Sequence, residues 1–178
     1  VTGYVENLDH DWFTIRYDST LSTVISSATY NSGDIDENCN VTVDNSDNVY
    51  VTGFRDIDFR GFIVKYDPSL TTILSSATYS GYPRDTTIDE VGNVYVTGSF
   101  GSGSGYLTAK YNPSLAAILS SATYNMGSIN VGYGVAVDNS RNVYVTGRSY
   151  NWENYDYRTI KYQLNSAPKL SWSDEENY

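Results

Sequence analysis

Three closely spaced pairs of acidic residues are candidates for metal binding in this sequence. Each pair reads Asp-x-Asp and lies between stretches of β-branched and aromatic residues. Ca²⁺ prefers six to eight oxygen ligands, and carboxylates at this spacing supply several. None of the pairs continues into a longer Asp-x-Asp-x-Asp-Gly pattern, so solvated loops are the favoured interpretation and a Ca²⁺ site is the alternative. The candidate ligands are Asp9, Asp11, Asp34, Asp36, Asp56 and Asp58.

Residues for nucleophilic or zinc-dependent catalysis are scarce. His10 is the single histidine and Cys39 the single cysteine, so a three-histidine zinc site and an intrachain disulfide are both excluded. Two carboxylates suffice for glycoside hydrolysis, but no repeated feature singles out such a pair. We therefore expect a protein that is not an enzyme, with no catalytic residues and no cofactor.

Aromatic residues are the third candidate for chemistry, because flat rings suit the faces of sugars. Most of the 18 tyrosines recur at fixed positions of an internal repeat, which favours packing. The remaining aromatic residues lie in or beside variable segments, where recognition usually resides. They predict a glycan- or ligand-binding face formed by Trp12, Tyr82, Tyr106, Tyr133, Tyr150, Trp152, Tyr155 and Tyr157.

The repeat itself has three elements in a constant order with a period of about 45 to 50 residues. The first reads Asn-Val-Tyr-Val-Thr-Gly and occupies residues 48–53, 93–98 and 142–147. The second ends in a basic residue and tyrosine, at Arg16, Lys65, Lys110 and Lys161. The third reads Ser-Ser-Ala-Thr-Tyr and ends at Tyr30, Tyr79 and Tyr124.

Each unit is predicted to contain four short antiparallel strands, here called A to D. The runs are short, rich in β-branched and aromatic residues, and bounded by turn residues. Strand A closes on an aspartate, at Asp44, Asp89 and Asp138. The cation of strand C either pairs with that aspartate, which we favour, or lines a central opening that binds an anion. The chain is predicted to be all-β.

The Asp-x-x-x-Asn-Val-Tyr-Val-Thr-Gly block with its basic-Tyr-Asp strand end resembles the SBBP family, the short repeat of seven-bladed β-propellers in bacteria and archaea. The resemblance covers roughly residues 1–163, and its best copies are Val41–Tyr79 and Thr87–Tyr124. It implies a propeller array on an exported or cell-surface protein, often within a larger polypeptide. The family has no agreed catalytic residues.

The strand count raises the question of how the propeller closes. We expect units at about 1–40, 41–84, 85–130 and 131–163, which gives 14 strands or about 3.5 blades, whereas closed propellers have four to eight. The array is therefore a small ring, part of a larger propeller, or completed by another chain. The tail, residues 164–178, supplies strand D of its own last blade or pairs with an open edge. The assembly candidates are Val1, Thr2, Leu170 and Trp172.

The amino-acid composition limits the classes of partner that the protein is expected to bind. The chain has 21 acidic and 11 basic residues and a net charge of −10, which argues against binding to nucleic acids or anionic membranes. No apolar run is long enough to span a bilayer. We predict an extracellular or cell-surface structural protein that assembles with itself as a ring or filament, or with the rest of a larger repeat protein. The alternative is a glycan-binding module. Asn40 begins an N-glycosylation sequon.

Overall fold

The computed structural model describes residues 1–6, 10–33, 35–55, 58–101, 104–125, 129–164 and 170–172. Within these residues the chain forms fifteen β-strands and no α-helix. No helix of the described part could therefore cross a membrane. The strands form four antiparallel sheets, and the chain divides into two compact units, Val1–Pro83 and Arg84–Tyr178.

The first unit holds sheets one and two. Sheet one has three strands in the order β1-β2-β3, and sheet two has four in the order β4-β5-β6-β7. Their bounds are β1 Thr2–Val5, β2 Asp11–Tyr17, β3 Val24–Tyr30, β4 Asp36–Val43, β5 Val49–Arg55, β6 Arg60–Tyr66 and β7 Ile73–Tyr79.

The second unit holds sheet four and nearly all of sheet three, whose first strand crosses the unit boundary. Both sheets have four strands in meander order. The bounds are β8 Gly81–Ile88, β9 Val94–Phe100, β10 Tyr106–Tyr111, β11 Ile118–Tyr124, β12 Asn130–Val137, β13 Val143–Tyr150, β14 Tyr155–Leu164 and β15 Leu170–Trp172. The all-β, four-stranded repeat predicted from the sequence is confirmed.

The apolar pattern of strand A begins at Val41, Thr87 and Val135, whereas the strand itself begins five or six residues earlier, at Asp36, Gly81 and Asn130. In sheets two and four a β-bulge interrupts the pairing of this strand, between Asn38 and Asn40 and between Gly132 and Gly134. A bulge shifts the register by one residue and breaks the alternation of buried and exposed side chains. The period-two pattern therefore marks only the part of the strand beyond the bulge.

The turns between strands C and D share an unusual backbone conformation. Leu21, Leu70 and Leu115 all have φ near +60°. Residues other than glycine rarely adopt this backbone conformation. The preceding acidic or amide side chain stabilises the turn by accepting backbone N–H groups. Asp67 Oδ1 accepts the N–H of Thr71 at 2.8 Å and that of Thr72 at 2.7 Å.

Candidate binding surfaces

The repeated aspartate, asparagine, tyrosine and lysine form one hydrogen-bonded cluster in each four-stranded sheet. In sheet three, Asp89 accepts the backbone N–H of Asn93 at 2.8 Å, its side-chain amide at 2.8 Å and the hydroxyl of Tyr95 at 3.1 Å. The ammonium of Lys110 lies 4.0 Å from the Asp89 carboxylate and 5.0 Å from the Tyr95 ring centroid. This cluster ties strand A to strands B and C.

Sheet two repeats this geometry, and sheet four repeats its hydrogen bonds and ring contact. Tyr50 donates to Asp44 at 3.2 Å, and Lys65 lies 3.4 Å from that carboxylate. Tyr144 donates to Asp138 at 3.1 Å, and the ammonium of Lys161 lies 5.3 Å from the Tyr144 ring centroid. In each of these sheets the lysine therefore contacts the tyrosine that donates to the aspartate.

The electrostatics of the cluster follow from its contacts. Burial by itself would raise the pKa of Asp89, but hydrogen bonds from Asn93 and Tyr95 and the charge of Lys110 lower it below its ordinary value. Burial lowers the pKa of Lys110. In sheet two, burial opposes the charged form of Lys65, yet the closer contacts with Tyr50 and Asp44 raise its pKa. These contacts favour a structural role for the repeated cation over an anion-binding one.

Arg16 is the equivalent cation of sheet one, and its partner differs. Sheet one has no strand A in the described chain. The guanidinium of Arg16 instead donates to the carbonyl oxygen of Pro68 at 2.5 Å, in the turn after β6. The sequence pattern could not predict this contact, because it links two repeats and depends on how their turns meet.

The acidic candidates for Ca²⁺ binding do not form a three-ligand cluster in the part of the chain that the structure describes. Asp9, Asp34 and Asp56 lie outside the described residues. Asp58 is paired with Arg55, and Asp36 accepts the hydroxyl and backbone N–H of Ser32 at 2.6 and 2.8 Å. Asp11 is buried at the start of β2. Among the described residues, no three metal-ligating side chains come together.

Burial raises the pKa of Asp36 above its ordinary value, against the hydrogen bonds from Ser32. The negative charge of Asp11 acts in the same direction as burial. Asp36 is therefore held in a setting that disfavours its charged form.

The predicted aromatic face divides into buried and exposed residues. Trp12 and Tyr106 are only 1% and 0% exposed and belong to the hydrophobic cores of their units. A fully buried ring cannot present a face to a ligand, so both residues are corrected to core positions. Tyr82 is half-buried and makes edge-on contacts with the rings of Phe54 and Phe59, at 4.6 and 5.5 Å.

Four of the aromatic candidates surround the β13–β14 hairpin and form what we call the hairpin patch: Tyr133, Trp152 and Tyr155 are exposed, and Tyr150 is half-buried. The Tyr150 ring centroid lies 4.9 Å from that of Tyr155 and 6.5 Å from that of Trp152. Arg148 places its guanidinium over Tyr155 at 4.8 Å and over Tyr133 at 5.7 Å. Ring contacts and one arginine therefore link the four residues of the hairpin patch.

The turn of this hairpin is ordered by Asn151. Its side-chain oxygen accepts the backbone N–H groups of Glu153 and Asn154 at 3.0 and 2.9 Å, and its amide donates to Asp156 at 3.0 Å. Trp152 has φ of +80° and an exposed ring. Neither Arg148 nor Asn151 is a candidate from the sequence. The contacts of Arg148 reach Tyr133 and Tyr155 on the two neighbouring strands, and no local sequence pattern indicates them.

The predicted assembly residues lie on two different sheets. The backbone nitrogen of Val1 donates to the carbonyl of Ile15 at 2.9 Å, and the hydroxyls of Thr2 and Thr14 share a hydrogen bond of 3.1 Å. Leu170 and Trp172 bound strand β15, which pairs antiparallel with β14 of the same chain. The described part of the tail therefore supplies strand D of its own last sheet, which is one of the two expected alternatives.

Sheets one and four each expose residues at positions of the repeat. The threonine of the Val-Tyr-Val-Thr-Gly repeat is buried in sheets two and three, as Thr52 and Thr97, but Thr146 of sheet four is exposed. On the same face of sheet four, Tyr157 is 95% exposed. On sheet one, Val1 is 70% and Leu21 74% exposed.

Comparison with known proteins supports the repeat. A family model described as a β-propeller repeat (SBBP) matches residues 127–156, which span strands β12 and β13 and the turn of the hairpin patch. No curated protein matches the chain. The match confirms the resemblance in residues 127–156, and together with the four antiparallel sheets it supports a β-propeller repeat domain.

Proposed function

We propose that this β-propeller repeat domain is a non-catalytic structural module of the cell surface that associates with further copies of itself through sheets one and four. The observation that carries the proposal is the solvent exposure, on sheets one and four, of positions whose equivalents are buried in the other sheets. Contiguous exposed apolar surface on a soluble protein commonly marks a site of association.

The distribution of charge also favours association through these faces. The chain carries a net charge of −10, which opposes the approach of two copies over most of their area. The exposed face of sheet one presents Val1, Gly3 and Leu21, and that of sheet four presents Thr146, Thr159 and Tyr157, with Arg148 as an exposed cation. None of these side chains is acidic, so the parts of the two faces that they form can meet with little like-charge repulsion.

Two different faces that bind each other make a heterologous contact, which produces a ring if the rotation closes and a filament if it does not. Electron microscopy of the purified chain, with light-scattering mass on the same sample, tests the proposal. Rings or filaments support it. A monodisperse monomer at high concentration contradicts it, and is the outcome expected if further blades of a longer polypeptide cover these faces.

A second candidate function is glycan binding by the hairpin patch. Its exposed rings are pre-arranged by Arg148 and by the Asn151 turn, and Trp152 is held in a strained backbone conformation of the kind that concentrates at functional sites. Rings fixed in this way lose little conformational freedom on stacking against a sugar. A glycan array followed by titration calorimetry tests this function, and absence of binding to every glycan contradicts it.

A further inference from the structure

Three aromatic residues occupy the same position in strand C of their sheets. Trp12, Tyr106 and Tyr157 each lie four residues before the basic residue of the strand, and we call this the knob position. Sheet two has Gly61 there, where Pro83 Cδ would lie 2.7 Å from an added Cβ atom. The strand itself therefore does not require an aromatic residue, and its presence elsewhere reflects what the ring contacts.

In two sheets the knob packs into the next sheet of its own unit. Trp12 of sheet one is buried in a cluster with Val51, Val64 and Tyr66 of sheet two. This cluster lines one face of sheet two, since Val51 and Val64 are directly paired across β5 and β6.

Tyr106 of sheet three makes the matching contact in the second unit. It is buried in a cluster with Val145, Ile160 and Tyr162 of sheet four. Its ring carbon Cζ lies 2.9 Å from the position that a Cβ atom on Gly147 would occupy. The glycine of the Val-Thr-Gly repeat therefore leaves the space into which the ring fits.

Tyr157 is the same knob on sheet four, but it is exposed to solvent over nearly its whole surface. It has no ring contact among the described residues. A tyrosine at a position that elsewhere packs between sheets is thus left without a receiving face in its own unit.

Sheet one offers the complementary face. In the repeat, Val1, Gly3, Ile15 and Tyr17 stand where sheet four has Val145, Gly147, Ile160 and Tyr162. Val1 is exposed, and no described atom lies within 4 Å of a Cβ atom added to Gly3. The space that a knob fills in sheet four is therefore open in sheet one.

We propose that Tyr157 of one copy docks over Gly3 of a second copy, between its Val1 and Ile15. The inference rests on the proposed self-association and specifies its two surfaces. A second copy is the occupant because the receiving face of sheet one has the residue types that already accept Tyr106 within the chain. The contact continues the packing of successive sheets from one molecule into the next.

Four proteins test this docking by sedimentation equilibrium over a concentration series. Tyr157→Ala removes the knob, Gly3→Phe fills the space beneath it, Trp152→Ala removes an exposed ring from the β13–β14 turn as a matched control, and the unmodified chain sets the reference. Both docking variants should weaken association by about tenfold or more, as expected for a central aromatic anchor. Trp152→Ala should leave the association constant unchanged.

Mixing the two docking variants adds a sharper criterion. Tyr157→Ala retains an open Gly3 face, and Gly3→Phe retains the knob, so the mixture should form a two-subunit species that does not grow further. If the unmodified chain associates but neither variant changes its affinity, the docking is wrong and self-association stands. A reference chain that stays monomeric overturns both. A Tyr157→Ala protein that fails to fold also contradicts the assignment, since so exposed a ring should not support the monomer.

Discussion

Lys65 places its ammonium 3.4 Å from the carboxylate of Asp44, at the turn that joins the first two strands of sheet two. The same lysine lies 4.9 Å from the Tyr50 ring centroid, and Tyr50 donates its hydroxyl to the same carboxylate. The three side chains are therefore held together by an ion pair, a hydrogen bond and a cation–ring contact. Because the repeat preserves all three residues, the cluster makes each four-stranded sheet a locally stabilised element.

Removing the aspartate of this cluster should destabilise the fold. Asp89 is buried and accepts three hydrogen bonds from Asn93 and Tyr95, so Asp89→Ala leaves several donors unsatisfied. We expect the free energy of unfolding to fall by about 3 kcal/mol. Glu37→Ala, which removes an exposed carboxylate from β4, is the matched control. Equal urea midpoints for the two variants would contradict the role of the cluster.

Two leucines with the same backbone conformation should respond to glycine in opposite directions. Leu21 and Leu70 have φ of +58° and +61°, but Leu21 is exposed and Leu70 is only 4% exposed. Leu21→Gly relieves backbone strain and should raise the free energy of unfolding by about 1 kcal/mol. Leu70→Gly relieves the same strain but loses a buried side chain, so a net loss of about 2 kcal/mol is expected. Thermal or urea unfolding measures both, and a shift of the same sign in the two proteins would refute the argument.

Acid should weaken the turn after β6. Hydrogen bonds from Ser69 and the backbone of Thr72 lower the pKa of Asp67 from 3.8 to about 2. Because the folded-state pKa is the lower one, this stabilisation is present above pH 3.8 and is lost as the pH falls through about 2. Asp67→Asn, which places the residue type of Asn112 in this turn, should show a smaller loss of stability between pH 4 and pH 2 than the unmodified chain. An identical acid dependence would exclude Asp67 as a contributor.

Unlike Asp67, Asp36 should contribute to the stability of the fold at low pH and lose this contribution as the pH rises. Burial raises its pKa, so the protonated form is the one that the fold favours. Its contribution is present below the ordinary pKa of 3.8 and is lost as the pH rises through the folded-state value. An NMR titration of the Asp36 carboxyl carbon should give a pKa above that of an exposed aspartate. A value at or below 3.8 would contradict the buried setting described here.

The hairpin patch allows a separation of binding from stability. Trp152→Gly removes the exposed ring and relieves a φ of +80°, so the unfolding free energy should rise by about 1 kcal/mol. If the patch binds glycans, the same change should weaken binding by about tenfold, whereas Trp152→Phe should retain most of it. Calorimetry with a glycan identified on the array measures the effect. Full affinity in Trp152→Gly would remove the patch from the glycan site.

Much of the architecture follows from the sequence, because the repeat fixes strand order, turns and the partners of the repeated lysines. Asp44 with Lys65 and Asp89 with Lys110 could be paired from their positions alone. The early start of strand A could not be predicted, because the bulge between Asn38 and Asn40 breaks the alternation of buried and exposed residues. Trp12 and Tyr106 were misassigned because position beside a loop carries no information about which sheet packs over the ring.

The measurement that tests the central proposal most directly is the average mass of the unmodified chain over a wide range of concentration, at low and at moderate salt. The docking of largely uncharged faces predicts a mass that rises above 19.8 kDa with concentration. Salt should not reverse this rise, because it screens the repulsion between acidic surfaces. A mass that stays at 19.8 kDa at every concentration would contradict self-association through sheets one and four.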